Sequence, residues 1–179
     1  MITVRRSYLA FGAAIVLGVA GTAIWWTGRD FGSSVPLGAK ADRIVVEKAA
    51  HRMRLLAGET VLATYDVAIG SGSPGPKQRE GDRRTPEGHY RITFHNARSG
   101  WHLSLRTSYP EADDVARAAA AGVPPGSDIM IHGIRWGLGW IGSWHRLADW
   151  TNGCIAVTNS EMDEIWRVVD DGTPIDILP

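Results

Sequence analysis

The stretch Thr151-Asn-Gly-Cys-Ile-Ala-Val157 contains the single cysteine of the chain, Cys154, with a glycine directly before it and three apolar residues directly after it. The apolar run predicts a short buried strand, and the glycine predicts a tight turn that leads into that strand. A turn of this form can direct its backbone N–H groups toward one point, as an oxyanion hole requires. The segment therefore predicts a thiol displayed at the start of a strand, where it could act as a nucleophile.

A second motif, Ile131-His-Gly133, ends a short apolar strand predicted over 128–132. A thiol attacks as the thiolate, so near neutral pH it needs an imidazole or a positive field close by. His132 is the best candidate for this base, and as an ion-pair partner it is expected to lower the pKa of Cys154. If the two strands pair, the two side chains could meet at one rim of the sheet.

Two other interpretations of these residues are open. A lone cysteine is often a small buried hydrophobe with no chemical role. Zinc could in principle bind to His132, His145 and Cys154, but their spacing matches no metal motif, so no metal site is expected. Surface placement is expected for His145.

Composition limits the classes of function. The chain has 179 residues, enough for one domain of ordinary size once a leader is set aside. Lys and Arg together number 19 and so do Asp and Glu, so there is no overall basic field to bind nucleic acid. One cysteine excludes an intrachain disulfide and a multi-cysteine metal site. We expect a globular protein with no nucleic-acid partner and no cofactor.

The N-terminal region predicts export. An uncharged run from Tyr8 to Trp26 would span roughly 28 Å as a helix, about the hydrocarbon thickness of a bilayer. Arg5 and Arg6 precede it, which places everything after the run on the exported side. A retained anchor is favoured because the run is longer than a typical signal-peptide core, although a cleavable signal peptide stays open. We therefore divide the chain into a membrane anchor or signal segment, a linker and an exported domain, at residues 1–27, 28–40 and 41–179.

The exported region predicts a mainly β fold with two helices. Short strands and tight turns follow one another from Arg43 to Ile69, which is typical of a β meander. One helix is predicted over 110–121, with proline in its first turn and Gly122 after its end. The other follows the capping box Thr158-Asn-Ser-Glu161. The glycine- and proline-rich segment 70–88 predicts a long loop, and loops of that length are usually functional.

The order of these features resembles the L,D-transpeptidase catalytic domain, the YkuD family of bacterial envelopes, and in particular its YafK-like murein transpeptidase branch. The resemblance covers about Asp42 to Pro179 and includes the loop Gly81-Asp-Arg-Arg-Thr-Pro-Glu-Gly88 as well as the two motifs above. It implies a YkuD-like β-sandwich or meander. It also implies that Cys154 is the acyl-accepting nucleophile and His132 its base. In the same resemblance the backbone around Gly133 orients the imidazole, and the N–H groups of Gly153 and Cys154 form the oxyanion hole.

The substrate implied by the resemblance is the stem peptide of peptidoglycan, attacked at the carbonyl of the L-centre of diaminopimelate. The implied location is the periplasmic face of the inner membrane, and the implied roles are cell-wall biogenesis and cell shape. Arg83 and Arg84 could each bind a carboxylate of an acidic peptide. The tryptophan-rich loop from Trp136 to Trp150 either packs on itself or lines a groove. Substrate contacts are expected from Arg84, Thr85, Thr151, Asn152 and Trp140.

Two positions depart from the motif of typical members. Asn152 replaces a histidine, and Ala156 stands where an arginine is expected two residues after the cysteine. Without that arginine, the acceptor of the acyl group stays open between an amine and water. A hydrolase that releases a peptide or protein attached to diaminopimelate is therefore an alternative to a transpeptidase. A peptidoglycan-binding module without catalysis is a further alternative, against which the presence of both Cys154 and His132 argues.

Overall fold

The structure is a computed structural model that describes residues 35–179. The segment predicted to enter the membrane, and the first part of the predicted linker, lie outside these residues. Within residues 35–179, none of the helices combines the length and apolar character that a membrane crossing requires. The first described residues lie against the domain, since Val35 is buried and its N–H donates to the carboxylate of Glu164.

Eight strands form one sheet in the spatial order β3-β2-β1-β8-β4-β5-β6-β7. Their bounds are β1 Arg43–Glu47, β2 Arg52–Ala57, β3 Thr60–Asp66, β4 Gly88–Asn96, β5 Ser104–Thr107, β6 Met130–His132, β7 Ile155–Ala156 and β8 Pro174–Leu178. The described residues also form two α-helices and one 3-10 helical segment. These are α1 Ala112–Ala120, the 3-10 segment Gly139–Leu147 and α2 Asn159–Val168.

The predicted meander is confirmed by the antiparallel pairs β1–β2 and β2–β3. The last strand, β8, enters the sheet parallel to β1 and antiparallel to β4, so it joins the meander to the second half of the sheet. Ile175 and Ile177 of this strand are almost fully buried, as is Ile44 beside them on β1. Burial of these branched apolar side chains stabilises the centre of the sheet.

The sheet curls until its two ends meet. Beyond the end of β3, Ala68 pairs with Ala156 on β7, and the two residues exchange backbone hydrogen bonds of 3.0 and 2.8 Å. The strands therefore form a half-barrel rather than two packed layers. The mainly β class is confirmed, and the β-sandwich part of the expectation is wrong because the meander and the catalytic strands belong to one continuous curved sheet.

Both predicted helices are present. In α2 the predicted capping box forms, because Thr158 Oγ1 accepts from the N–H of Glu161 and the Glu161 carboxylate accepts from the N–H of Thr158. Met162, Ile165 and Val168 lie on the buried face of this helix. The 3-10 segment was not predicted, since its glycine-rich sequence lacks the start and stop signals of a helix. The segment 70–88 is the expected long loop, up to the start of β4 at Gly88.

Candidate active site

The short parallel pair β6–β7 brings His132 and Cys154 to the same face of the sheet. Ile131 pairs with Ile155 and His132 with Ala156, so Cys154 stands level with Met130. Residues two apart on a strand share a face, which places the imidazole and the thiol on one side. Both line one cavity of about 360 Å³. The two strands do pair, which is the condition under which the two side chains could meet.

Two tryptophans enclose the imidazole. The ring centroids of Trp101 and Trp150 lie 5.1 and 5.7 Å from that of His132, and 5.3 Å from each other. His132 is only 4% exposed as a result. These aromatic contacts restrict the ring to one orientation and reduce the access of water to it.

The hydrogen bonds of His132 identify its basic nitrogen. Nδ1 donates to the carbonyl oxygen of Gly133 over 2.7 Å, so Nε2 is the atom with the free lone pair. This bond is the contact through which the Gly133 backbone orients the ring. Burial lowers the pKa of His132 below its usual value, and the hydrogen bond to Gly133 only partly opposes that effect. The imidazole is therefore neutral near pH 7 and able to accept a proton.

The thiol is also neutral at rest. Burial raises the pKa of Cys154, and the backbone N–H of Met130 acts in the opposite direction. Asp128 raises the pKa further while Lys77 lowers it, and the sulfur lies 3.6 Å from the carbonyl oxygen of Asp128. The expected lowering of this pKa by His132 is not found, because an imidazole kept neutral by burial offers the thiolate no positive charge.

Thr151 holds the turn that presents the nucleophile. Its hydroxyl donates to the carbonyl oxygen of Cys154 over 2.7 Å and accepts from the N–H of Gly153 over 3.1 Å. Thr151 is buried and also lines the Cys154 cavity, so the substrate contact expected for it stays a prediction. The same bond occupies the N–H of Gly153, and the part expected for that group in the oxyanion hole stays a prediction. Within residues 35–179 no acceptor engages the N–H of Cys154, which leaves this group as the donor for an oxyanion.

Gly153 is required by both conformation and space. Its φ of +127° lies in a region that favours glycine. A Cβ at this position would come within 2.7 Å of the carbonyl oxygen of Arg84, in the loop 70–88. The loop and the nucleophile turn are therefore in direct backbone contact.

Two of the predicted substrate contacts lie in that loop and away from the thiol. Thr85 is buried, and its hydroxyl accepts from the N–H of Gly70 over 2.9 Å, so it braces the loop instead of facing a ligand. The guanidinium of Arg84 donates to the carbonyl oxygen of Pro76 and lines a separate cavity beside Lys48. Neither residue lines the Cys154 cavity, and the substrate contact expected for each stays a prediction.

Arg83 and Asn152 lie closer to the nucleophile. Arg83 lines a cavity of about 480 Å³ that also includes Asp128 and Asn152. Asp128 and Asn152 also line the Cys154 cavity, so the two cavities adjoin at these two residues. Asn152 is exposed there, and its side chain is available to a substrate.

Trp140 does not line the Cys154 cavity and is 78% exposed. Of its loop, Trp150 is the tryptophan that reaches the site. His145 contradicts the expected surface placement, because it is half-buried and its Nδ1 accepts from Trp150 Nε1 over 3.4 Å. Burial, with smaller contributions from Arg146 and His132, lowers the pKa of His145 to about 4.

Arg98, Trp101 and Asp128 are among the residues of the cavity wall that sequence reasoning missed. Arg98 and Trp101 lie in the turn between β4 and β5, and Asp128 lies just before β6. The only signal available was their position next to predicted strand ends. Within the described part of the chain, no group of three or more His, Cys, Asp or Glu side chains is arranged to bind a metal ion.

Comparison with known protein sequences identifies L,D-transpeptidases as relatives of this chain. The family model of the L,D-transpeptidase catalytic domain, YkuD, matches residues 41–177. YafK of Escherichia coli (strain K12), whose name assigns it provisionally to the L,D-transpeptidases, is 31% identical over 111 residues. That match covers 61% of this chain and 37% of YafK. The chain thus spans little more than a third of this curated relative.

Solved structures share the fold. The helical cell shape determining protein Pgp2 of Campylobacter jejuni superposes with a TM-score of 0.59 and 25% identity, over 78% of this chain and 48% of Pgp2. Bd1075 of Bdellovibrio bacteriovorus superposes with a TM-score of 0.54 and 22% identity, over 82% of this chain and 51% of that chain. An L,D-transpeptidase of Xylanimonas cellulosilytica superposes with a TM-score of 0.52 and 15% identity, over 80% of this chain and 63% of that chain. The last two likenesses concern the fold alone.

Proposed function

Since the chain belongs to the L,D-transpeptidase catalytic domain family, YkuD, we propose that it is a cysteine acyltransferase acting on the stem peptides of peptidoglycan. The observation that carries the proposal is the placement of His132 and Cys154 on one face of the β6–β7 pair, in one cavity. A structural cysteine would have no need to share a cavity with an imidazole whose lone pair is free.

The first half-reaction forms a thioester. His132 Nε2 takes the proton of the Cys154 thiol as the sulfur attacks the peptide carbonyl carbon, and the carbonyl π electrons move to the oxygen. The N–H of Cys154 stabilises this oxyanion. As the C–N bond breaks, the imidazolium returns its proton to the departing nitrogen. The products are an acyl-enzyme and a free amine.

In the second half-reaction an acceptor amine loses a proton to His132 and attacks the thioester, which releases the thiol. We propose an amine as the acceptor because two cavities adjoin beside Cys154, one containing His132 and the other Arg83. Two adjoining cavities can bind an acyl donor and an acceptor together. The exclusion of water by Trp101 and Trp150 further favours transfer over hydrolysis.

The experiment uses the 179-residue chain with tetrapeptide muropeptides, in the presence and absence of a free D-amino acid, analysed by mass spectrometry. Exchange of the terminal residue or new cross-links are expected, together with an acyl adduct on Cys154. Loss of the terminal residue without an exchange product would show that water is the acceptor. The absence of both products and adduct would refute the acyltransferase itself.

We also propose that residues 1–27 are an anchor or signal segment, 28–40 a linker and 41–179 the catalytic domain on the exported face of the inner membrane. The uncharged run from Tyr8 to Trp26 and the start of the family match at residue 41 support this division. The name of Pgp2 suggests a role in cell shape for this chain as well. A mature N-terminus at Met1 in the membrane fraction is expected. A mature N-terminus between Ala20 and Thr27 would instead show that the segment is a cleaved signal peptide.

A further inference from the structure

Arg98 is a cationic residue of the Cys154 cavity wall that has no ion-pair partner among residues 35–179. The residue is exposed in the turn between β4 and β5 and lines the cavity that contains the thiol and the imidazole. Its backbone N–H donates to the side chain of Asn96 over 3.1 Å, which steadies the turn. Among residues 35–179, none forms an ion pair or hydrogen bond with its guanidinium.

The acidic residue that lines the same cavity, Asp128, already has an ion-pair partner. The carboxylate of Asp128 pairs with Arg106 over 3.1 Å. Arg98 is therefore the group of this wall that still lacks a counter-ion. A guanidinium binds a carboxylate through two parallel hydrogen bonds, so a carboxylate of the substrate is the chemical match for it.

The chemistry of the proposed reaction decides which carboxylate this is. His132 must give its proton to the nitrogen that leaves, so the departing residue lies on the His132 side of the scissile bond. His132 and Arg98 line the same cavity, whereas the adjoining cavity with Arg83 does not include His132. The departing residue therefore occupies the Arg98 cavity, and the acyl part of the donor extends toward Arg83.

We propose that Arg98 binds the free α-carboxylate of the residue that leaves the stem peptide. This inference rests on the proposed function. The acceptor amine must meet the same imidazole as it attacks, so an amino-acid acceptor occupies the same cavity and places its own carboxylate on Arg98. Arg98 thus selects peptides that end at the departing residue and acceptors that carry a free carboxylate.

The experiment compares two substrates that differ only at the C-terminus, a tetrapeptide muropeptide with a free carboxylate and its C-terminal amide. The readouts are the Cys154 acyl-enzyme and the released amino acid or amide. The 179-residue chain should prefer the acid. In Arg98→Gln, kcat/KM for the acid should fall roughly 10-fold to 100-fold, as expected for loss of a hydrogen bond between charged groups, while the amide is used as before. Arg98→Lys should retain part of the preference.

The matched control is Arg79→Gln, which removes an exposed arginine that lines none of the cavities described above. It should keep the full preference for the acid. A second arm compares two acceptors in the exchange reaction, a free D-amino acid and its C-terminal amide. The unsubstituted chain should prefer the acid, and Arg98→Gln should lose this preference.

The outcomes separate the two proposals. If the unsubstituted chain acylates Cys154 and Arg98→Gln keeps the preference for the acid in both arms, the assignment of Arg98 is wrong and the proposed function stands. If the unsubstituted chain forms no acyl-enzyme with either substrate, the proposed function fails and the assignment of Arg98 fails with it.

Discussion

His132 and Ala156 face each other across the parallel pair β6–β7, and Ala156 is bonded on its other side to Ala68. Ala156 is fully buried between these two neighbours. This is the position at which the resemblance described in the sequence analysis leads us to expect an arginine. A guanidinium could not be accommodated there without separating the two ends of the sheet.

Replacing the nucleophile is the most direct test of the mechanism. Cys154→Ser changes one atom at a half-buried position, so the free energy of unfolding should change by less than about 1 kcal/mol. Turnover of muropeptides should fall by orders of magnitude, because a serine hydroxyl is far less acidic than a thiol. Thermal unfolding and product analysis on the same sample measure both quantities. Unchanged turnover would exclude Cys154 as the nucleophile.

The variant His132→Gln tests whether His132 acts as a general base during the reaction or as an ion-pair partner of Cys154 at rest. Because burial keeps the imidazole neutral and the thiol protonated at rest, the pH midpoint of Cys154 alkylation should lie above that of a free cysteine and rise little on this substitution. Turnover should nevertheless fall by about 10²-fold to 10⁴-fold, the usual contribution of a general base. Alkylation by chloroacetamide across pH 6–10 provides the measurement. A midpoint that rises by a full pH unit would show that an ion pair exists at rest.

Gly153→Ala should displace the nucleophile turn. The added Cβ would meet the Arg84 carbonyl oxygen at 2.7 Å, and the φ of +127° disfavours any other residue. We expect a loss of about 2 kcal/mol or more in stability together with a loss of turnover. Gly137→Ala is the matched control, since Gly137 also has a positive φ, +82°, but has nothing within 4 Å of an added Cβ. Equal effects of the two changes in thermal unfolding would contradict the proposed backbone contact.

Local patterns predicted the parts of the fold that local forces determine. The capping box at Thr158 and the turns of the meander depend on neighbouring residues, and both were predictable. The position of β8 could not be predicted, because its parallel pair with β1 joins Ile44 to Ile175, which lie near opposite ends of the domain's sequence. The curvature that joins Ala68 to Ala156 is equally non-local, which is why the half-barrel was mistaken for a sandwich.

The candidate site also contains features that local sequence predicts and features that depend on residues distant in sequence. Cys154 and His132 could be found because each lies in a short motif at a strand end. The roles of Thr85 and Thr151 could not be predicted to the same degree, because a hydroxyl that bonds to the backbone inside the protein looks the same in sequence as one that faces a ligand. Arg98 and Trp101 were missed because their turn reaches the site through the pairing of Ser104 with His132, which joins two strands that are distant in sequence.

Stability should decrease in mild acid, and His145 should account for part of the decrease. Its pKa is about 4 in the folded protein, because burial disfavours the charged ring, against 6.5 for an unperturbed histidine. Above pH 6.5 both the folded and unfolded chains hold a neutral ring, so this residue makes no difference to stability there. Between pH 6.5 and 4 the unfolded chain binds a proton that the folded chain does not, so the free energy of unfolding falls as pH falls.

The slope from one such proton is at most about 1.4 kcal/mol per pH unit, and partial exposure of His145 makes the actual slope smaller. His145→Gln removes this contribution, so its loss of stability between pH 7 and pH 4.5 should be smaller than that of the unsubstituted chain. Buried His132 titrates in the same direction and accounts for a remaining decrease in both proteins. Urea unfolding at several pH values measures the two slopes. Identical slopes would mean that His145 can take up a proton in the folded protein, and hence that Trp150 leaves it accessible to water.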